Sequence, residues 1–108
     1  METNTPTRNQ WIAEEILRQM GGTGRLKIML GAKDFCAIDN GLRFRMPSNF
    51  AKDGINLVEI VLTPMDEYNL IFSRLRAGKV KEITRFEGVY CDQLHRLFRD
   101  ATGLATRL

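Results

Sequence analysis

Apolar and polar residues alternate most densely between Ile55 and Phe86, where the β-branched and aromatic content also peaks. That stretch predicts two or three long antiparallel strands joined by tight turns. Val58, Ile60 and Leu62 share one face of the first strand, and Thr63-Pro64-Met65-Asp66 is a turn. Tyr68, Leu70 and Phe72 are the expected inward face of the next, with Ile71 and Leu75 competing for the register. Ala77-Gly78 makes the following turn. From Lys79 to Phe86 charged and polar residues alternate with Val80, Ile83 and Phe86, and the broken step between Val80 and Ile83 predicts a bulge.

The flanking segments change period. From Arg8 to Met20, Trp11, Ile12, Ile16, Leu17 and Met20 recur at helical spacing, with Thr7 or Asn9 as the cap and Gly21-Gly22-Thr23-Gly24 as the stop. Leu26, Ile28 and Leu30 alternate with Arg25, Lys27 and Met29, which predicts a half-buried strand. A turn over residues 31–34, a short strand over Phe35–Ile38 and an Asp39-Asn40-Gly41 hairpin turn follow. Leu42, Phe44 and Met46 give a strand whose other face carries Arg43 and Arg45, and Pro47 to Gly54 is a polar loop. From Val89 to about Thr102 a helical stripe returns with Tyr90, Leu94, Leu97, Phe98 and Ala101, and Gly103 ends it. The expected fold class is α+β: an antiparallel meander sheet of five or six strands with N- and C-terminal helices packed on one face. One domain is expected over residues 1–108, with residues 1–7 as a disordered leader.

Composition narrows the class. The chain is 44% hydrophobic and 27% charged, with a net charge of +3 and an isoelectric point near 9.1. That is ordinary for a folded domain and only mildly basic. No run reaches the roughly 18–20 apolar residues of a membrane span, and the polar N-terminus carries no secretory signal. The two cysteines, Cys36 and Cys91, are expected as reduced, partly buried thiols in a cytoplasmic protein.

Candidate chemistry is sparse. The glycines at 21, 22 and 24 are read as a chain reversal, because a phosphate loop follows a strand and opens a helix. His95 is the only histidine; it lies four residues from Cys91, but nothing supplies an orienting third group or a metal-ligand spacing. The carboxylates Asp34, Asp39, Asp53, Glu59, Asp66, Glu67, Glu82 and Glu87 form no signature pair, and several sit in turns. The expectation is a non-enzyme, without cofactor, metal or catalytic residues.

The basic residues carry the functional signal. Arg25, Lys27, Arg43 and Arg45 occupy the polar faces of two predicted strands, and Arg74, Arg76, Lys79, Lys81 and Arg85 follow with Glu82 as the single acid among them. If these strands are neighbours, the open sheet face is a cationic surface suited to phosphates. The competing reading is an ordinary solvated face, in which edge lysines deter aggregation.

Several stretches carry a resemblance: Ile16-Leu17-Arg18-Gln19-Met20-Gly21-Gly22, Met29-Leu30-Gly31-Ala32-Lys33-Asp34-Phe35, Asn40-Gly41-Leu42-Arg43-Phe44, Val89-Tyr90-Cys91-Asp92-Gln93-Leu94 and Thr102-Gly103-Leu104. In these the chain resembles a family of small proteins encoded by bacteriophages and other mobile elements. The resemblance implies an accessory protein acting inside a bacterial cell and carries over no catalytic residue. The expected partner is nucleic acid, bound through Arg25, Lys27, Arg43, Arg45, Arg74, Arg76, Lys79 and Lys81, with no membrane. The alternative is a module that binds or inhibits a host protein through aromatic anchors at Tyr68, Phe50 or Trp11. Homodimerisation through an open sheet edge is the remaining candidate.

Overall fold

A computed structural model describes residues 7–104. Three helices, α1 (Arg8–Gln19), α2 (Thr23–Leu30) and α3 (Leu94–Thr102), accompany five strands, β1 (Lys33–Ile38), β2 (Gly41–Arg45), β3 (Leu57–Leu62), β4 (Tyr68–Arg76) and β5 (Lys79–Val89). The strands form one antiparallel sheet in the order β1-β2-β3-β4-β5. This is the expected α+β meander, with the terminal helices on one face. Most of the expected leader, residues 1–6, lies outside the described residues.

The core follows the cross-strand register. Leu42, Ile60, Leu70 and Phe86 stand in one row, and Phe44, Val58, Phe72 and Thr84 in the next. Of these, Leu42, Phe44, Val58, Ile60, Leu70 and Phe72 are buried. Phe98 of α3 lies between Phe44 and Phe72, with ring centroids 6.3 and 5.5 Å away. Ile12, Ala13 and Ile16 of α1 join the same core over β1 and β2. Thr7 caps α1 in a reciprocal capping box with Gln10. Asn9 pins the helix start to the β1–β2 turn: its Oδ1 accepts from the Asn40 amide at 2.8 Å, and its Nδ2 donates to Asp39 at 3.2 Å.

Residues 25–30 are helical rather than a strand. Gly21 and Gly22 take φ of 100° and 93°, which stops α1 and redirects the chain straight into α2. Leu26 and Leu30 are buried four residues apart, as helical spacing requires, whereas Ile28 is 87% exposed. An alternating pattern over six residues cannot separate the two periods by itself, because positions i and i+4 share a face in both. The glycines therefore open a helix, yet they follow another helix and not a strand, so the phosphate-loop context is still missing. Two aromatic placements also differ. Trp11 and Tyr90 are each 58% exposed and stand outside the apolar stripes assigned to them. Both cysteines are exposed, not partly buried.

The bulge expected between Val80 and Ile83 is present in β5, where the register passes from Phe72↔Thr84 to Ser73↔Glu82 and leaves Ile83 unpaired. Below it, β4 and β5 run on as a two-stranded ribbon closed by Ala77 and Gly78, both at positive φ (53° and 74°). Asn56 fastens the foot of this ribbon. Its backbone N–H donates to Ser73 O at 3.0 Å, and its carbonyl accepts from the Met46 N–H at 2.9 Å. Its side chain acts as a further ladder rung, accepting from the Leu75 N–H at 2.7 Å and donating to Leu75 O at 3.0 Å. Asn56 is only 3% exposed. Asn56→Leu is expected to destabilise the fold by about 2 kcal/mol, since a polar pair at Leu75 loses its partner. Urea denaturation tests this: the midpoint should fall with an unchanged slope, and a midpoint within error of wild type would remove Asn56 from this role.

Candidate nucleic-acid interface

The sheet divides the basic residues between its faces. Leu42 and Phe44 point into the core, so Arg43 and Arg45 point to the open face, opposite the helices. Arg74 and Arg76 share the parity of Leu70 and Phe72 and lie on the helix side, beyond the end of the core. Lys81 and Lys79 stand directly opposite them in the register. Arg25 and Lys27 lie on α2 and belong to neither group. The single cationic sheet face expected from the sequence is therefore not formed. β3 separates β2 from the β4–β5 pair, and the two groups point in opposite directions.

On the open face the cations meet acids. Arg45 lies 3.6 Å from Asp34, and Arg43 faces Glu59 across the β2–β3 register. Arg85 sits 2.8 Å from Glu82 and 3.5 Å from Glu87. The hydrogen bond between Arg85 and Glu82 holds the carboxyl below its usual range and the guanidinium above its own. A groove of about 360 Å³ crosses this face, lined by Asp34, Arg43, Arg45, Leu57, Leu75 and Val80. Its floor is apolar and its charges are mixed in sign.

The ribbon differs in charge. Arg74↔Lys81 and Arg76↔Lys79 are two like-charged cross-strand pairs in succession. None of the four makes an ion pair or side-chain hydrogen bond among the described residues. Arg76, Lys79 and Lys81 are exposed, and Arg74 is half-buried against the loop before β3. Gly54, at φ 73°, makes room for it: a Cβ there would lie 3.1 Å from the Arg74 Cδ. At the foot of the ribbon a recess of about 220 Å³ is lined by Arg74, Arg76, Ser48, Asn49 and Asn56, among others.

Other candidate chemistry is dispersed. Among the described residues no group of three or more His, Cys, Asp or Glu is placed to hold a metal ion. Tyr68 is 5% exposed, so it is no surface anchor; burial pushes its hydroxyl pKa above the ordinary tyrosine value, with a Gln19 hydrogen bond working the other way. Phe50 and Trp11 are exposed, on a loop and on α1. The β5 edge carries Lys79, Lys81, Glu82, Arg85 and Glu87 together with the bulge, features that discourage strand addition. No helix among the described residues is long and apolar enough to cross a membrane. No protein-family model, curated protein or solved structure matches the chain.

Within β4 and β5 the sequence signal that separates Arg85 from the ribbon cations is the position of acids, whereas the acids that meet Arg45 and Arg43, Asp34 and Glu59, come from other strands. Glu82 and Glu87 bracket Arg85, while Arg74 to Lys81 contains no acid at all.

Proposed function

We propose that this protein is a non-enzymatic nucleic-acid-binding accessory protein, and that its β4–β5 ribbon, not its open sheet face, contacts the phosphate backbone. One observation carries the reading: two directly opposed cationic pairs, Arg74↔Lys81 and Arg76↔Lys79, with no acid between them. Like charges directly opposite one another on a sheet are unfavourable for the fold. A phosphate backbone supplies the negative charge that relieves this repulsion, and its counterions are released on binding. Arg43, Arg45, Arg25 and Lys27 are not part of this interface.

Fluorescence anisotropy with a labelled single-stranded 12-mer tests the proposal. Four phosphate contacts predict a slope of log affinity against log salt of about −3, at roughly 0.7 per contact, so a tenfold rise in salt weakens binding by about 600-fold. Absence of binding at low salt would overturn the reading and turn attention to a host protein docking on Trp11 and Phe50.

A further inference from the structure

We infer that the recess at the foot of the ribbon is a built subsite for a single phosphoryl group, gripped by Arg74 and hydrogen-bonded by Ser48 and Asn49. The inference rests on the ribbon being a phosphate-binding surface and adds a fixed point to it. Lys79 and Lys81 are exposed and Arg76 is exposed at the rim of the recess, whereas Arg74 is half-buried and lies against the loop over residues 47–54. A guanidinium placed so, with no acidic or carbonyl partner among the described residues, presents its donor fork to whatever enters the recess. Gly54 shapes the slot, since any Cβ there would crowd Arg74.

The neutral side of the recess fits the same ligand. Ser48 Oγ accepts from Asn56 Nδ2 at 3.4 Å, which leaves its own proton to donate. Asn49, held at φ 60°, lines the recess beside it and brings a side-chain amide. Asn56, with both side-chain atoms committed to Leu75, acts as a rigid wall and not as a ligand group. A forked cation with neutral donors lining the same recess matches the several acceptor oxygens of a tetrahedral phosphoryl group, two of which the fork can engage at once, better than it matches a single carbonyl. The phosphoryl group comes either from an internal phosphodiester or from a strand's 5′ end, and both present the same oxygens.

The test keeps charge constant while changing geometry. Arg74→Lys retains the positive charge and removes the fork. It is expected to weaken binding of the 12-mer about five- to tenfold with an unchanged salt slope, because the number of neutralised phosphates stays the same. Ser48→Ala changes no charge and is expected to weaken binding about threefold through one lost hydrogen bond. A two-dimensional amide spectrum of each variant establishes that the fold is retained. Equal losses with 5′-phosphorylated and 5′-hydroxyl 12-mers assign the site to an internal phosphodiester; a loss confined to the 5′-phosphorylated strand assigns it to the terminal group. Either pattern supports the subsite. Steep salt-dependent binding by wild type, with both folded variants binding equally well, overturns the subsite and leaves the ribbon reading standing. No binding by wild type overturns both.

Discussion

Gly41→Ala is expected to lower the melting temperature by about 12 °C or more, equivalent to about 3 kcal/mol in a domain of this size. Gly41 opens β2 and pairs with Val61 of β3. A Cβ at this position would lie 2.2 Å from the Ile60 carbonyl oxygen and 3.0 Å from the Val61 Cα. Both obstacles are backbone, so no side chain can swing aside. The β2–β3 ladder must open at its end, where Leu62 donates to the Asn40 carbonyl at 2.7 Å. The cost therefore combines overpacking with strained ladder bonds, at the upper end of the usual range for overpacked cores. The neighbouring Asn40→Gly is the control. Asn40 carries the left-handed turn conformation at φ 57°, which glycine also accepts, so that change is expected to alter stability by less than about 1 kcal/mol. A thermal melt decides the matter: equal, small shifts for the two variants would show that the ladder has slack at Gly41.

The double variant Lys79→Glu/Lys81→Glu is expected to move stability and binding in opposite directions. Each substitution turns a like-charged cross-strand pair into an ion pair, Glu opposite Arg76 and Glu opposite Arg74. Such pairs contribute roughly 0.2–1 kcal/mol each, so the melting temperature should stay level or rise slightly. Removing two cations and adding two acids cancels the four charges of the ribbon. Affinity for a single strand at about 0.1 M salt should then fall by about two to three orders of magnitude, and the salt slope should approach zero. A merely solvated ribbon would gain the stability without losing anything. Retained binding with an unchanged slope would exclude the ribbon as the contact surface.

Much of the architecture is legible in the pattern of residues. Tyr68, Leu70 and Phe72 line the core as their alternation indicates, and the broken period before Ile83 marks the bulge. These inferences hold because a strand buried on one face must keep its period, and a lapse in the period costs a residue in the ladder. The failures fall where the pattern is short or where burial depends on distant elements. Six alternating residues at 25–30 fit a strand and a helix equally, and only the burial of Leu26 and Leu30 beside an exposed Ile28 separates them. Trp11 and Tyr90 look like core residues by type, but large aromatic rings at the edge of an amphipathic stripe need a neighbouring surface to cover them. The sequence pattern places Gly41 in the hairpin turn for its conformational freedom. The structure keeps a residue without a Cβ there because another strand passes within 2.2 Å of where that atom would be.

The candidate site divides in the same way. The cations and the acid-free run from Arg74 to Lys81 are properties of the chain alone, as are the turn residues Ala77 and Gly78 that make a ribbon of it. Their grouping is not. A period of two assigns each residue to one of two faces within its own strand, but it does not say which strands are neighbours or which face the helices cover. The strand order placed β3 between the two basic clusters, the helices chose one face, and the register set Arg74 against Lys81 and Arg76 against Lys79. By itself, then, the sequence determined an α+β meander and a basic hairpin; the tertiary structure decided that on the open face Arg45 would pair with Asp34, Arg43 would face Glu59 and Arg85 would pair with Glu82 and Glu87, while the cations of the ribbon would converge with no ion-pair partner among the described residues. The physical reason is that alternation is a local property of one strand, whereas charge neutralisation depends on which side chains the packed sheet brings within a few ångströms of one another.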